Sequence, residues 1–282
     1  MKKDLILVVG ASGTVGSNIV KQLKEQGYQV RSTTSKQAKS ADHVHLNLAT
    51  GEGIKAAFEG VDKAFLLTPP PFADHYAILS PLIQEAKRRG LKKVVLMTAM
   101  GADASETTPF RRAELELEKS GLSYNIIRPN WFLQNFNSFW IQGILEQGKI
   151  LVPAGQAKVS FIDARDISDV AVKLLTTDTH NNKAFNLSGP EAIDHHQVAQ
   201  AISKATARKV TYEEIAPETL KQGLVSHGVP VDYADFLLLI FGFLKAGYNA
   251  GLTPSVKEIT GHEARSVQDY ASAFKASWSK TA

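Results

Sequence analysis

The sequence contains no cysteine. That absence removes disulfide frameworks, cysteine-ligated zinc and thiol nucleophiles from consideration. Long apolar runs are missing as well. The stretch over 236–244 is interrupted by Gly242 and stops at Lys245, short of the roughly 20 residues a membrane-spanning helix requires. At the start, Met1-Lys2-Lys3-Asp4 leads into a short apolar run over 5–10. A signal peptide carries a longer apolar core and a small-residue cleavage site. The expectation is therefore a buried first strand in a cytoplasmic protein that touches no membrane. Internal repeats, low-complexity tracts and disordered linkers are also lacking. Histidines do not fall at metal-ligand spacing. His195 and His196 are adjacent, where helical ligands need spacing and further partners, so a surface or capping role is expected of them. His43 and His45 share one face of a strand with no third ligand near, and no metal is expected.

What is present is globular. With 44% hydrophobic and 21% charged residues over 282 positions, the chain can bury a large core. The net charge of +4 is spread along the sequence. Its one dense cluster, Lys87-Arg88-Arg89-Gly90-Leu91-Lys92-Lys93, opens at a helix end, where cations complement the dipole. No basic stripe or reading helix is present, so direct nucleic-acid binding is not expected.

Periodicity orders the first half. Apolar runs predict strands over 5–9, 28–32, 44–48, 64–68, 94–98 and 124–127, and helical patterns lie between them. One helix runs through Ile19, Val20 and Leu23 to Gly27; others cover 54–58, 75–89 and 111–119. Later, strands over 159–162 and 184–187 flank a helix over 167–175, for which Asp166 reads as an N-cap. Strands alternating with helices imply an α/β fold with a parallel sheet covered on both faces. Right-handed crossovers make it doubly wound. The remainder reads as a smaller, mostly helical cap, in which the apolar helix over 233–244 is expected to be buried, or else to form a dimer contact or a lid.

Between the first strand and the first helix lies Gly10-Ala11-Ser12-Gly13-Thr14-Val15-Gly16. One glycine permits the turn, one lets the backbone approach a pyrophosphate, and one allows close helix–strand packing. The helix N-terminus then offers free amides and a positive dipole end. This is a dinucleotide-binding motif in its confirming context, and it makes the sheet a Rossmann sheet. The domain expectation is 1–130 plus 156–188 for the NADP-binding part, and 131–155 plus 189–282 for the cap or substrate region. After the second strand come Val30-Arg31-Ser32-Thr33-Thr34-Ser35-Lys36, with no acid before Asp42. An acid there would favour NAD, a cation the 2′-phosphate of NADP. Arg31, Ser35 and Lys36 therefore favour NADP(H). Asn47 and Leu48 after the third strand are expected beside the adenine. Leu67, Thr68 and Pro69 after the fourth are expected below the nicotinamide ribose.

At this point the chain resembles the NmrA-like, atypical short-chain dehydrogenase/reductases, which include quinone, azo and triphenylmethane dye reductases and NmrA-type transcriptional co-regulators. The resemblance rests on GASGTVG at 10, GVDKAFLLTPP at 60, KKVVLMTAMGA at 92, SGLSYNIIRPNWFLQNF at 120, SFIDARDISDVA at 160 and FNLSGPE at 185. It implies that Thr98 matches a serine used after the fifth strand, and that Ser35 matches a second basic residue after strand two, with Lys36 adjacent. Such reductases commonly use Tyr-x-x-x-Lys, which this sequence lacks throughout. Where many NmrA-like members keep the lysine, this chain has Phe110, with Arg111 and Arg112 close by as substitutes.

Trp131, Phe132, Gln134 and Asn135 follow the sixth strand and combine aromatic walls with amides. That combination suits a flat, weakly polar small-molecule substrate, although core packing explains the aromatics equally well. The favoured function is hydride transfer from NADPH to a small aromatic or quinone-like acceptor without a Tyr-Lys pair, with the catalytic residues left unassigned. The alternative is an NADP(H)-binding redox sensor acting through a protein partner.

Overall fold

The computed structural model describes residues 3–38, 40 and 42–279. The reading of Met1 and Lys2 lies outside the described residues. In chain order the elements are β1 (Leu5–Val8), α1 (Gly16–Glu25), β2 (Gln29–Thr34), β3 (His43–His45), α2 (Ile54–Ala57), β4 (Lys63–Leu66), α3 (His75–Arg89), β5 (Lys93–Met97), α4 (Pro109–Glu118), β6 (Tyr124–Pro129), α5 (Ile141–Gln147), β7 (Lys149–Val152), α6 (Ala164–Thr176), β8 (Lys183–Leu187), α7 (His195–Thr206), β9 (Thr211–Glu214), α8 (Pro217–Ser226), α9 (Val231–Lys245), α10 (Ser255–Thr260) and α11 (Val267–Ala273). The chain divides into two compact units. The first runs to Pro129 and takes back Arg165–Leu187 and Glu258–Gly261; the second holds Asn130–Ala164, Ser188–Lys257 and the described residues from His262 on.

The first unit is a doubly wound α/β sheet of seven parallel strands in the order β3-β2-β1-β4-β5-β6-β8. Its central strands are buried on both faces, which is why β1, β4 and β5 read as nearly unbroken apolar runs rather than alternating ones. On one face Leu7, Leu66, Val94, Leu96 and Ile126 meet Leu79, Leu82 and Ile83 of α3 and Ala113 and Leu117 of α4. α1 and α6 are tied to each other by Gln22 Nε2 donating to Asp169 Oδ1 at 2.6 Å, and Ser168 Oγ donates to the Val15 carbonyl at 3.1 Å. At the amino ends of the strands two lysines serve the last carbonyls of α6 and the turn after it. Lys63 Nζ donates to Leu175 O at 3.0 Å and Lys93 Nζ to Thr177 O at 2.7 Å. Those carbonyls lack helical partners and attract cations. Burial of the Lys93 ammonium pulls its pKa down to about 8. The strand order reverses beside β1, which has β2 on one side and β4 on the other. In open α/β sheets that reversal leaves a crevice at the carboxyl ends of the strands.

The basic cluster at the end of α3 is largely paired. Arg88 and Arg89 both bond Glu85, at 2.7 and 2.9 Å, and hold its carboxyl down at about 2. Lys92 bridges Asp4 and Asp62 at 2.7 and 2.9 Å.

The second unit closes around Phe136, Ile150, Val152, Phe161, Ile202, Tyr270 and Trp278. It departs from the sequence reading in several ways. It is not purely helical, because β7 and β9 pair in parallel as a two-stranded sheet; β9, Thr-Tyr-Glu-Glu, has no apolar run to mark it. The strand expected over 159–162 is reduced to isolated bridges, Phe132 to Ile162 and Val159 to Ile193. Those bridges lie within the second unit, and 156–164 belongs there rather than to the nucleotide-binding unit. α6 begins at Ala164, so Asp166 lies inside its first turn instead of capping it, where its charge still suits the dipole. α9 buries only one side, through Tyr233, Ala234, Phe241 and Leu244, while Val231, Leu239 and Phe243 are exposed. His195 is the largest reversal. It is fully buried at the start of α7, with Phe136, Phe161 and Tyr212 at 5.9, 5.3 and 5.3 Å between ring centroids. The capping is done by Asp194, whose side chain accepts from Gln197 N at 2.8 Å, while the Gln197 side chain accepts from Asp194 N at 3.0 Å. Desolvation pulls the His195 pKa down to about 4.

Among the described residues no helix is long and apolar enough to cross a membrane.

Candidate functional site: a dinucleotide cradle and a buried carboxylate

The glycine turn has the geometry its sequence implies. Gly10 adopts φ +72°, which only glycine takes without strain. Gly13 N donates to Gly10 O at 2.9 Å, tightening the turn. A Cβ on Gly16 would stand 2.2 Å from Gly10 O, so no other residue fits there. Thr33 pins the turn to β2 through Gly10 N at 3.3 Å. Ser12, Gly13 and Thr14 are exposed and Val15 is buried. α1 starts with no side-chain cap and no acid in its first turn, which leaves its leading amides and positive dipole end for an anion. At the far side of the β1–β4 crevice, Leu67 lies under Gly10, with its Cδ1 3.0 Å from where a Gly10 Cβ would be. Two residues past the end of β4, Thr68 has a buried hydroxyl with no hydrogen-bond partner among the described residues, and half-buried Pro69 follows it. A glycine turn that admits no Cβ at Gly16, an uncapped helix and an orphaned hydroxyl fit a dinucleotide.

The end of β2 divides the expected phosphate ligands. Ser35 and Lys36 are exposed, and Lys36 N donates to Thr34 Oγ1 at 3.1 Å. Arg31 is not brought to them. Its side chain leaves mid-strand, and the guanidinium bonds the carbonyls of Ala57, at 3.3 Å, and Glu59 at the end of α2, where exposed carbonyls attract a cation. Asn47 Oδ1 accepts from Ala49 N and Thr50 N at 3.0 and 3.3 Å, building a local turn beside half-buried Leu48. Only its amide nitrogen is left to meet a base.

Beyond β5 the structure reveals a constellation that the sequence reading missed. Thr98 Oγ1 donates to Glu114 Oε1 at 2.7 Å. Glu114, fully buried on α4, also accepts from Arg128 Nε at 2.9 Å and Nη2 at 2.7 Å, and from Arg111 Nη1 at 3.0 Å. Arg128 is further held by Asp103, and Arg111 by Glu118 at 2.7 Å. The one signal available in sequence was a Glu in the apolar stripe of a helix, at Ala113-Glu114-Leu115-Glu116-Leu117, followed by an Arg inside a buried strand.

The arginines near Phe110 do not stand in for a lysine. Arg111 is committed to Glu114 and Glu118, and Arg112 lies over the Tyr76 ring, 3.9 Å from its centroid. Phe110 itself stacks on His75 at 3.8 Å and 5°. Burial holds the His75 pKa down at about 4.

Of the residues expected to line a substrate, Trp131 packs with Phe241 and Trp140 at 4.8 and 6.0 Å. Phe132 and Asn135 are half-buried. Gln134 is not at a surface. It is buried, its Nε2 donating to Asp163 Oδ1 at 2.9 Å and its Oε1 accepting from Ala164 N at 2.8 Å, so it fixes the start of α6.

Seven parallel strands, a reversal beside β1 and a glycine cradle at that reversal define a dinucleotide-binding Rossmann protein. The chain belongs to the NmrA-like family, whose pattern matches residues 2–271. It is 34% identical over 285 residues to an NAD(P)H azoreductase of Xenophilus azovorans, covering 97% of this chain and 99% of that protein. Its fold is similar to Citrobacter sp. triphenylmethane reductase complexed with NADP(H), with a TM-score of 0.79, 20% identity and coverage of 96% and 99%. It is also similar to the Escherichia coli NADPH-dependent quinone oxidoreductase QOR2, with a TM-score of 0.78, 22% identity and coverage of 95% and 99%.

Proposed function

We propose that this chain is an NAD(P)H-dependent oxidoreductase that reduces a small aromatic or quinone-like acceptor, with NADPH favoured over NADH. The observation that carries the reading is the turn from Gly10 to Gly16, where a Cβ on Gly16 would stand 2.2 Å from the Gly10 carbonyl, in front of an uncapped α1. Full-length similarity to an NAD(P)H azoreductase supports the reaction class.

The amides at the start of α1, with Ser12, Gly13 and Thr14, would hold the pyrophosphate, and Ser35 and Lys36 the 2′-phosphate. Asn47 and Leu48 would border the adenine, and Leu67, Thr68 and Pro69 the ribose on the nicotinamide side. When bound, the reduced nicotinamide supplies the hydride; the protein supplies position and a dry surround. With no Tyr-x-x-x-Lys and with Phe110 in place of a lysine, the acceptor is one that needs little acid assistance, such as a quinone or a dye. Trp131, Phe132 and Asn135 are proposed as its lining. A cytoplasmic location belongs to the same proposal.

The test is NADPH oxidation with a panel of quinones, azo dyes and enones, using Gly13→Asp as the control. Turnover that disappears in the variant supports the enzyme. A second reading, a redox sensor acting through a partner protein, is favoured by one observation: Arg111 and Arg112 are both engaged, and Phe110 carries no charge. Tight NADPH binding without turnover of any of the acceptors would move the assignment there.

A further inference from the structure

We propose that Thr98 meets its ligand as a hydrogen-bond acceptor, and that Glu114 and Arg128 are positioning residues that fix the direction of its proton. This rests on the NAD(P)H-dependent reading above. Four donor hydrogens converge on the two oxygens of Glu114: one from Thr98, two from Arg128 and one from Arg111. A carboxylate so placed accepts in all four bonds and contributes no hydrogen. The hydrogen between Thr98 and Glu114 therefore belongs to the threonine. A hydroxyl has only one, so what Thr98 retains is its lone pairs, and no other hydrogen bond to its hydroxyl engages them among the described residues.

The arrangement is rigid. Glu114 is fully buried and Arg128 is nearly so. The planar fork of Arg128 grips both carboxylate oxygens, and its remaining arm is held by Asp103. Such bidentate pairing fixes geometry as well as charge. The proton of Thr98 cannot turn outward without breaking a bond to a buried carboxylate.

Thr98 directly follows β5, at the strand ends where open α/β sheets bind ligands. The group that meets it there must carry an N–H or O–H. The nicotinamide half of the cofactor offers such groups in its carboxamide and its ribose hydroxyls; an acceptor molecule offers one only if it bears a donor beside its reducible bond. In either case Thr98 supplies no proton to the reduced product, a role its position after β5 would otherwise suggest.

The experiment compares wild type, Thr98→Val, Thr98→Ser, Glu114→Gln and the Thr98→Val/Glu114→Gln double variant. NADPH affinity is read from cofactor fluorescence. 2′,5′-ADP, which lacks the nicotinamide half, reports whether the rest of the cradle is intact. Loss of one neutral hydrogen bond should weaken binding about five- to tenfold. If the donor is on the cofactor, Thr98→Val loses that factor in NADPH affinity but not in 2′,5′-ADP affinity. If it is on the acceptor, the loss appears in KM with NADPH affinity unchanged. Thr98→Ser, which keeps the hydroxyl, recovers most of the loss. Glu114→Gln weakens the same ligand, and the double variant is no worse than Thr98→Val, because Glu114 acts through Thr98. The proposal is overturned if Thr98→Val shifts neither quantity beyond twofold, or if Glu114→Gln still weakens the ligand once Thr98 is valine. Should Glu114→Gln not fold, the valine–serine comparison decides alone, since a hydroxyl serving only Glu114 would leave ligand affinity unmoved. A wild type that binds no NADPH overturns the functional reading instead.

Discussion

Two cations five residues apart, Arg31 and Lys36, have different fates because of where their side chains leave the chain. Arg31 neutralises the carbonyl end of α2, whereas Lys36 stands exposed just past β2. Replacing Lys36 with Gln should narrow the ratio of NADPH to NADH affinity by several-fold. Replacing Arg31 with Gln should lower the melting temperature and leave that ratio alone. Parallel cofactor titrations and thermal melts separate the two, and an unchanged ratio in the Lys36 variant would place the 2′-phosphate elsewhere. Gly16 makes a stricter prediction. Even alanine there puts a methyl inside the contact distance of Gly10 O, so Gly16→Ala should abolish NADPH binding or prevent folding. Unaltered affinity in a folded Gly16→Ala protein would refute the cradle geometry. The glycine spacing made this site legible from sequence, because each glycine answers a local backbone demand. The fate of Arg31 was not legible, since its partners lie at and just past the end of α2, more than twenty residues away.

At the scale of elements, α4 and β6 are joined by a buried ion pair. Removing one partner of such a pair leaves an uncompensated charge and costs about 3–5 kcal/mol. Glu114→Ala should therefore be far more damaging to stability than Glu116→Ala two residues on, as denaturant unfolding would measure; equal effects would mean that Arg128 finds water. Helix and strand types in the first unit were legible because short apolar runs such as β1 and β4 alternate with helical patterns along the chain. β7 and β9 were not, because β9, Thr-Tyr-Glu-Glu, is polar and carries no apolar run that would give β7 a partner. α9 misled for a related reason: an all-apolar helix reads as buried, and nothing in its own sequence reveals how much of its circumference the neighbours cover.

Across the whole molecule, two buried imidazoles set the response to acid. His75 and His195 each titrate near 4 when folded, against 6.5 in an unfolded chain. The unfolded state thus binds protons first as the pH drops. Their contribution is complete above about pH 6.5 and is lost progressively down to about pH 4, on the order of 3 kcal/mol for each group. Unfolding free energy measured across that window should decline, and His195→Leu should flatten the decline while raising stability near pH 5. A slope unchanged by the substitution would show that other groups govern acid sensitivity.

The aromatic box around His195 also gives the protein an internal reporter. Rings lie within 6 Å of the imidazole on several sides, and their induced magnetic fields should displace its carbon-bound proton signals well away from those of exposed histidines. With only eight histidines in the chain, an unlabelled proton spectrum would set apart this residue and His75, which stacks on Phe110, and the His195→Leu variant would tell the two lines apart. The His195 resonance would stay fixed from pH 8 down to about 5 while exposed histidines move. Because the shift depends on Phe136, Phe161 and Tyr212 keeping their places, that single line would follow the integrity of the second unit during any cofactor or acceptor titration.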